Sequence, residues 1–388
     1  MKDSQKIKPL PVQVYFLTVF TLTLCGIIIS SYLTFSHHRV FTDIEYKSFC
    51  AISKTINCDT VSQSSYAFFI GVPTAVWGIF GYMLMLVLLC FSIDTKKKKM
   101  RLLATCFMVS FLFSIISLFL GIISSVLIHA YCIMCIASWI VNFSLLFMFW
   151  LIRRRYETNN FFQSFKNDIL VFKQNRVNTI FIVVLYTIVG ACLVGFYPDY
   201  WNYSLQSNKK NLPTGVTEQG HPWIGSKTPE LTIVEFSDYR CFQCKKMHFF
   251  LRSLISKHPD KIRLVHRHFP MDRKFNPGVK DSFHDGAGIL ALVAISAKET
   301  DNFWEANDYL FNYDFSEGAI YLMRIAKALN MDINILKNNV YKQSTKDFLT
   351  QDIIFGIKHE FTGTPAFVIN DQVYIGQIPS KIIQPFLK

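Results

Sequence analysis

The stretch Tyr131-Cys132-Ile133-Met134-Cys135 places two cysteines one helical turn apart, at the start of an apolar run that continues to Ile152. Cysteines at this spacing bind metal ions, exchange disulfides, or pack as small apolar side chains. Their position at the start of an apolar run indicates a membrane boundary. Each of these chemistries needs different partners, so the remaining cysteines and the solvent around the pair decide between them.

The composition is that of a membrane protein. Of the 388 residues, 51% are hydrophobic and only 17% are charged, which is too apolar for a soluble chain of this length. Apolar windows of about 20 residues, long enough to cross roughly 30 Å of hydrocarbon, occur five times. They are approximately Val12 to Phe35, Phe68 to Ile93, Leu102 to Ala130, Cys132 to Ile152 and Thr179 to Tyr197. The first is too long for a signal-peptide core and lacks a small-x-small cleavage site, so we expect a retained helix.

The distribution of Lys and Arg predicts the orientation. If the N-terminus is cytoplasmic, the connections on that side carry 14 cations, whereas the outer connections before Trp201 carry three, Arg39, Lys47 and Lys54. The 14 are Lys2, Lys6, Lys8, Lys96 to Lys99, Arg101, Arg153 to Arg155, Lys166, Lys173 and Arg176. The positive-inside rule then puts the C-terminal domain outside. Because these cations follow membrane topology, the net charge of +13 does not indicate a nucleic-acid partner.

This topology sorts the ten cysteines. Three pairs face one oxidising compartment: Cys50 with Cys58, Cys132 with Cys135, and Cys241 with Cys244. The other four, Cys25, Cys90, Cys106 and Cys192, lie within apolar helices, where we expect them to pack as small hydrophobic residues.

A soluble domain follows the last apolar window. A polar stretch from Pro198 to about Pro229 predicts a linker, and the alternating segment Glu230 to Asp238 predicts a strand. Cys241 and Cys244 come next and open a segment of helical character that continues to about His258. A strand, a turn and a helix that opens with Cys-x-x-Cys is the thioredoxin arrangement. Cys241 at the helix N-terminus would be stabilised as a thiolate and attack, and Cys244 would resolve the mixed disulfide.

Two other chemistries for these pairs lack their required residues. A zinc site needs a second nearby pair, and the nearest cysteine pair to Cys241 lies in the membrane region. A haem attachment site needs a histidine where Lys245 and Ile136 stand. We therefore expect redox chemistry and no metal.

The soluble domain resembles the DsbA branch of the thioredoxin fold over about residues 229–388. The resemblance is carried by Phe236-Ser-Asp-Tyr-Arg-Cys-Phe-Gln-Cys-Lys245, His266-Arg-His-Phe-Pro-Met271, Asn302-Phe-Trp-Glu-Ala-Asn-Asp-Tyr-Leu-Phe311 and Gly363-Thr-Pro-Ala-Phe-Val-Ile-Asn370. It implies that Pro365 is cis and that the Thr364-Pro365 loop lies against the active disulfide and pairs with substrate backbone. The dipeptide Phe242-Gln243 departs from the usual Pro-His, so it offers no imidazole to favour the thiolate.

The membrane region, roughly residues 10–200, resembles the vitamin K epoxide reductase family, specifically bacterial homologues fused to a thioredoxin-like domain. The motifs that carry this resemblance are Cys50, Cys58-Asp-Thr-Val-Ser-Gln-Ser-Ser-Tyr-Ala67, Gly71-Val-Pro-Thr-Ala-Val-Trp-Gly78 and Cys132-Ile-Met-Cys135. The resemblance implies that Cys132 and Cys135 lie beside a quinone, which Cys135 reduces, and that Cys50 and Cys58 are a shuttle pair.

The same resemblance assigns less specific residues. Ser64 would be the functional serine after the shuttle pair, although it is equally placed to cap a helix that starts near Tyr66. Tyr66, Thr74 and Trp139 would line the quinone pocket. Side chains of these types in apolar helices also occur as core or lipid-facing residues.

The chain is therefore expected to be multi-domain. We predict a four-helix transmembrane bundle at 1–155, a cytoplasmic connection and fifth transmembrane helix at 156–200, a linker at 201–228, and an α/β thioredoxin-fold domain with a helical insertion at 229–388. The expected location is the bacterial plasma membrane, with the thioredoxin-like domain outside.

The expected function is to make disulfide bonds in reduced exported proteins and to pass the electrons to ubiquinone or menaquinone in the bilayer. A quinone or quinone-epoxide reductase would use the same helix pair and stays open as an alternative. An exporter of reducing equivalents would need a cysteine pair reachable from inside, where Cys90 stands alone. A non-catalytic receptor does not account for three intact pairs.

Overall fold

The computed structural model describes residues 11–44, 46–53, 55–94, 99–157, 159–201, 212–280, 284–300, 302–313 and 320–386. The chain divides into two compact units, Met1–Tyr200 and Trp201–Lys388. Several cations used to predict orientation, Lys2, Lys6, Lys8, Lys54 and Lys96 to Lys98, lie outside the described residues.

The first unit is helical. Its helices are Val12–Thr42 (α1), Cys58–Gln63 (α2), Thr74–Ser92 (α3), Leu103–Ile123 (α4), Ile133–Tyr156 (α5), Phe161–Gln174 (α6) and Arg176–Phe196 (α7). A π-helical turn, Ser124–Ile128, continues α4. Among the described residues, five helices are long and apolar enough to cross a membrane, namely α1, α3, α4 with its continuation, α5 and α7. The five predicted apolar spans are thus confirmed.

The second span begins later than its apolar window predicts. Two short antiparallel strands, Phe68–Phe69 (β1) and Val72–Pro73 (β2), occupy the start of that window, and α3 begins only at Thr74. Ile70 and Gly71 form the two-residue turn with φ of 51° and 69°, as such a hairpin requires. Hydropathy does not distinguish this apolar hairpin from helix. A second short pair, Ile93–Asp94 (β3) and Lys99–Met100 (β4), follows α3.

The interior of the bundle is tied together by buried polar side chains. The Tyr82 hydroxyl on α3 donates to Asn142 Oδ1 on α5 at 2.7 Å, and Asn142 Nδ2 donates to Ser117 Oγ on α4 at 2.8 Å. Gly26 lets α1 approach, because a Cβ there would lie 2.4 Å from the Tyr82 ring. Small residues and paired polar groups of this kind hold membrane helices together where no hydrophobic driving force acts.

The second unit is built on a six-stranded sheet. Its strands are Thr214–Val216 (β5), Pro222–Gly225 (β6), Leu231–Ser237 (β7), Ile262–His268 (β8), Ala366–Ile369 (β9) and Gln372–Ile375 (β10), in the spatial order β10-β9-β7-β8-β6-β5. Strands β7 and β8 are parallel, and the other neighbours are antiparallel. The predicted strand at 230–238 is β7.

Helices connect and cover this sheet. They are Phe242–Lys257 (α8), Ala287–Lys298 (α9), Phe303–Phe311 (α10), Leu322–Ala328 (α11), Ile333–Tyr341 (α12), Gln343–Lys358 (α13) and Ser380–Ile383 (α14). Helix α8 joins the parallel pair, and α9 to α13 form an insertion between β8 and β9. The predicted α/β domain with a helical insertion is confirmed.

Strands also occur within the range 201–228, which the composition predicts to be a linker. Strands β5 and β6 form an edge hairpin that pairs with β8. Its glycines serve close packing. A Cβ at Gly215 would lie 2.6 Å from the Trp223 indole, and one at Gly225, whose φ is +114°, would lie 2.2 Å from the Ile262 carbonyl oxygen. Glycines in these edge strands give the segment the composition of a linker, so the sequence alone does not reveal the strands.

A buried charge cluster joins α13 to the sheet. Asp352 accepts hydrogen bonds from His221 Nε2 at 2.8 Å, Arg267 Nε at 2.7 Å and the His268 backbone N–H at 3.0 Å. Burial alone would raise the pKa of Asp352, but the hydrogen bond from His221 and the charge of Arg267 lower it. Neither ring nitrogen of His268 has a hydrogen-bond partner among the described residues, and burial holds its pKa well below the usual value.

This histidine predicts acid-sensitive folding. His268 is neutral when folded but titrates at about pH 6.5 when unfolded. Its contribution to the free energy of unfolding is therefore present above that pH and is lost as the pH falls below it. We expect the free energy of unfolding of the second unit to decline below about pH 6.5, and His268→Leu to flatten that decline. Urea unfolding followed by pulse proteolysis at several pH values measures this. His359→Leu, at an exposed histidine of the same unit, is the control, and equal slopes in wild type and His268→Leu would contradict the prediction.

Candidate thiol-disulfide site

The helix cysteine pair lies where α5 begins. Cys132 is the N-cap residue, and its Sγ accepts a hydrogen bond from the Cys135 backbone N–H at 3.2 Å. The Cys132 side chain is buried, and that of Cys135 is partly exposed. The helix N-terminus and the Cys135 N–H group would stabilise a thiolate at Cys132.

The loop pair, Cys50 and Cys58, is joined by a disulfide with a Cα–Cα distance of 5.6 Å. Cys58 is the first residue of α2, and the Asn57 side chain caps that helix by accepting from the backbone N–H groups of Asp59 at 3.0 Å and Thr60 at 3.1 Å. Satisfying these otherwise unpaired donors fixes the start of the short helix. The position of Cys58 therefore depends on the side chain that precedes it.

The loop is docked beside the helix pair by two backbone hydrogen bonds. Asn57 N–H donates to the Tyr131 carbonyl at 2.9 Å, and Tyr131 N–H donates to the Thr55 carbonyl at 2.7 Å. Tyr131 immediately precedes Cys132, so the bonds hold the loop directly against the helix thiols.

Docking brings four cysteines into one place. Cys50, Cys58 and Cys132 form a single buried cluster, against which Cys135 and three apolar side chains pack, Leu33, Val61 and Met134. A thiolate exchanges with a disulfide only through direct attack on sulfur. This cluster packs the loop pair against the helix pair, and such proximity is a precondition for exchange between them.

Further contacts hold the two ends of the loop. The buried carboxylate of Asp59 accepts from Ser48 N–H at 3.2 Å, which connects the segment before Cys50 to the segment after Cys58. The Tyr46 hydroxyl donates to Ser36 Oγ on α1 at 3.0 Å. Movement of this loop away from the bundle must break these bonds.

The third pair opens α8 in the second unit. Cys241 is the N-cap, and its Sγ accepts from the Cys244 N–H at 3.4 Å. The hydrogen bond with the Cys244 side chain and the charge of His284 lower the pKa of Cys241, although burial opposes them. Burial raises the pKa of Cys244 well above the usual thiol value. These pKa shifts favour Cys241 as the thiolate that attacks and Cys244 as the thiol that resolves the mixed disulfide.

The Thr364-Pro365 peptide bond is cis, as the resemblance implies. The Thr364 carbonyl oxygen lies 3.4 Å from Cys241 Sγ, so this loop does lie against the cysteine pair. Its contact with substrate backbone stays a prediction.

Ser64 occupies a helix N-cap position, but its side chain makes no capping hydrogen bond there. It precedes a 3-10 helix, Ser65–Ala67, without capping it, and its hydroxyl instead donates to the Val61 carbonyl at 2.8 Å. Ser64 thereby closes the C-terminal end of α2, the helix that Cys58 begins. Its functional role stays a prediction.

The three residues predicted to contact quinone lie on separate elements. Tyr66 is 42% exposed, the Thr74 hydroxyl at the start of α3 donates to the Ala67 carbonyl at 3.1 Å, and Trp139 on α5 packs against Gly121 of α4. Trp139 follows Cys135 by about one helical turn and so lies on the same side of α5. Their role as quinone contacts stays a prediction.

Some functional contacts have no sequence signal of their own. Asn57 precedes a helix of only six residues, too short for its periodicity to be recognised. His284 contacts Asp238, in the turn before Cys241, with its Nδ1 3.0 Å from Asp238 Oδ2, and this contact spans 46 residues. Within the described residues, no group of three or more His, Cys, Asp or Glu side chains is arranged to hold a metal ion.

The Asn57 cap predicts how firmly the loop pair is held. We expect Asn57→Ala to lose about 1 kcal/mol of helix capping and to speed reduction of the Cys50–Cys58 disulfide by added phosphine about fivefold, because the docked loop opens more often. Asn57→Ser, which keeps a capping oxygen, should stay near the wild-type rate. Timed trapping with a mass-tagged maleimide measures the reduction, and equal rates in all three proteins would show that the cap does not hold the loop.

Two family models match the chain. Residues 17–150 match the vitamin K epoxide reductase family, and residues 217–388 match the thioredoxin family. The Disulfide bond formation protein D of Bacillus subtilis is 27% identical over 164 residues, which cover 40% of this chain and 70% of that protein. The Na(+)/H(+) antiporter NhaA 3 of Salinispora tropica is 25% identical over 152 residues, but they cover 39% of this chain and only 22% of the antiporter.

Solved structures also match part of the chain. A thioredoxin-like oxidoreductase from Silicibacter pomeroyi DSS-3 is 22% identical, with 44% of this chain and 91% of that chain covered at a TM-score of 0.37. The thiol-disulfide exchange protein alpha-DsbA2 of Wolbachia pipientis is 17% identical, with 42% and 84% covered at a TM-score of 0.35. The family models, the five apolar helices and the strand order agree: this chain is a multi-pass membrane protein that joins a vitamin K epoxide reductase family domain, at residues 17–150, to a thioredoxin domain, at residues 217–388.

Proposed function

We propose that this protein is a thiol-disulfide oxidoreductase that makes disulfide bonds in exported proteins and passes the electrons to a membrane quinone. The observation that carries the proposal is the single cluster formed by Cys50, Cys58 and Cys132, with Cys135 packed against it. Two redox-active pairs in contact, in a chain that also carries a thioredoxin domain, constitute a relay.

The relay begins in the thioredoxin domain. A reduced exported protein transfers two electrons to the Cys241–Cys244 disulfide and leaves with a disulfide of its own. The lowered pKa of Cys241 and the raised pKa of Cys244 make Cys241 the thiolate that attacks the next disulfide. The Thr364-Pro365 loop, which contacts Cys241, would hold the backbone of the exported protein.

The second transfer reduces the loop pair. Cys241 attacks Cys50 and frees Cys58 as a thiolate, and Cys244 then displaces Cys50, so that the thioredoxin disulfide is restored. Cys58 attacks Cys132 of the oxidised helix pair, and Cys50 resolves that mixed disulfide. Each exchange passes on two electrons, since one disulfide is reduced as another forms, and the thiol protons are exchanged with solvent; the pair left reduced is Cys132 with Cys135.

The electrons leave the protein at Cys135, and the Cys132–Cys135 disulfide forms again as two electrons and two protons are given up. This thiol is less buried than Cys132 and belongs to the first turn of a membrane-spanning helix, beside apolar side chains. Such surroundings suit an apolar oxidant dissolved in the bilayer. A quinone, either ubiquinone or menaquinone, supplies the two-electron acceptor. Tyr66, Thr74 and Trp139 would contact it.

The proposed topology puts the three pairs on one side of the membrane. With the N-terminus cytoplasmic, the excess of Lys and Arg lies inside and the thioredoxin domain lies outside the bacterial plasma membrane. We propose the bundle at 1–155, the connection and fifth helix at 156–200, and a tether that ends near Pro213, just before β5. A short tether makes the encounter of the two domains intramolecular, with an effective concentration of about 1 mM.

Anaerobic quinone reduction tests the relay. We expect the reduced protein to convert ubiquinone or menaquinone to quinol, recorded by the loss of quinone absorbance, because Cys135 delivers the electrons. Cys135→Ala should abolish this conversion. Cys241→Ala should abolish turnover with a reduced protein substrate but keep the single conversion from the prereduced helix pair.

Cys25→Ala is the matched control, since Cys25 is an exposed membrane-helix cysteine outside the three pairs. It should behave as wild type. If wild type reduces neither quinone, or if Cys135→Ala still does, the proposed electron exit is wrong.

A further inference from the structure

A buried carboxylate connects His284 to the turn that carries Cys241. Asp238 is 1% exposed, and its Oδ2 lies 3.0 Å from His284 Nδ1. The same carboxylate accepts from the backbone N–H groups of Arg240 at 2.7 Å and Met271 at 2.6 Å. Asp238 is thus fixed by the backbone on two sides and can hold the imidazole in one orientation.

The segment that carries His284 is held at this turn by other bonds. The Arg240 guanidinium donates to the Asp285 carbonyl, and the Asp238 carbonyl accepts from the Cys241 N–H at 3.1 Å. The Gly286 N–H, just before α9, donates to Asp272 Oδ2 at 2.9 Å. These contacts join the start of the helical insertion to the active-site turn, so the imidazole and the nucleophilic cysteine share one rigid support.

The charges at this support favour an ion pair. Burial disfavours a charged His284, but the hydrogen bond and the charge of Asp238 outweigh it and raise the pKa of the imidazole. His284 and Cys241 interact electrostatically, and each stabilises the charged form of the other. Some neighbouring groups oppose this ion pair and one supports it. Asp238 disfavours the Cys241 thiolate, and Arg240 disfavours the imidazolium. Cys244 stabilises the thiolate by donating a hydrogen bond to Cys241.

We propose that His284, held by Asp238, is the charge partner of the Cys241 thiolate and takes the place of the histidine that the Phe242-Gln243 dipeptide lacks. Asp238 is a positioning residue, which acts through the imidazole. The inference rests on the proposed function in one respect, that Cys241 is the thiol by which the thioredoxin domain exchanges disulfides.

The proton balance follows from the two thiols. When an exported dithiol reduces the Cys241–Cys244 disulfide, two sulfur–hydrogen bonds of the substrate are lost and its disulfide forms. Cys244 takes one of the two protons, because burial raises its pKa. The other proton goes to solvent, and Cys241 remains a thiolate opposite the imidazolium. Stabilising this reduced form makes the domain a stronger oxidant of its substrates.

The test is the pH dependence of Cys241 alkylation in the reduced full-length protein. Iodoacetamide reacts with the thiolate, and mass spectrometry of the Cys241 peptide follows this site alone. We expect His284→Gln, which keeps a hydrogen-bonding side chain but not the charge, to move the profile to higher pH. Below the wild-type midpoint, the rate should fall about tenfold, which corresponds to about 1.4 kcal/mol.

Two further variants separate charge from structure. His284→Lys restores a cation and should return the profile most of the way to wild type, which a merely structural role would not produce. His359→Gln, at an exposed histidine of the same domain, should leave the profile unchanged. An unchanged profile in His284→Gln, or a loss in His284→Gln that His284→Lys does not restore, would overturn the inference.

Alkylation uses neither quinone nor the loop cysteines. A shifted profile in a protein that fails to reduce quinone would therefore support the inference while rejecting the proposed relay. The reverse result would reject the inference and leave the relay in place.

Discussion

The two backbone hydrogen bonds between the loop and Tyr131 are the interactions on which the membrane site depends. They hold Thr55 and Asn57 against the residue that precedes Cys132, and Cys58 follows Asn57 directly. Sulfur–sulfur exchange has almost no reach, because the attacking thiolate must touch the disulfide along its axis. Without this docking, the loop disulfide and the helix thiols would be two separate pairs.

The proposed shuttle role requires that the docked position of the loop be reversible. Its bonds are few and individually weak: a helix cap of about 1 kcal/mol, a carboxylate contact from Asp59 to Ser48, and the two bonds to Tyr131. Hydrogen bonds of this kind contribute about 0.5 to 1.5 kcal/mol each. Together they favour the docked loop and still permit opening, which a shuttle between two partners requires.

Helix N-termini recur at both redox centres. Cys132 and Cys241 are each the N-cap of a helix, and each sulfur accepts the N–H of the second cysteine of its pair. The Cys-x-x-Cys spacing is sufficient to predict this arrangement, because it puts the first thiol at the helix start and the second one turn later. The five apolar helices and the β7-α8 unit follow equally from local patterns.

Features that depend on distant contacts were not predictable in this way. The apolar hairpin at Phe68–Pro73 has the hydropathy of a helix, and the edge strands β5 and β6 have the composition of a linker. The dipeptide Phe242-Gln243 indicates a missing imidazole, whereas the fold brings His284 to the same turn through Asp238. Asn57 and Tyr131 meet only because the loop folds back on the bundle. Tertiary packing creates each of these contacts, and no local sequence pattern predicts them.

The account's central claim is that Cys58 and Cys132 are the sulfurs that connect the two membrane pairs. In Cys135→Ala, the Cys132 thiolate can attack the loop disulfide, and only the return attack of the freed Cys50 can reverse this step because Cys135 is missing, so a fraction of the protein should carry the mixed disulfide. Mass spectrometry of the acid-quenched, non-reduced protein identifies its partner. The account predicts a Cys58–Cys132 peptide with Cys50 free; a Cys50–Cys132 peptide, or an intact Cys50–Cys58 disulfide with free Cys132 throughout, would contradict it.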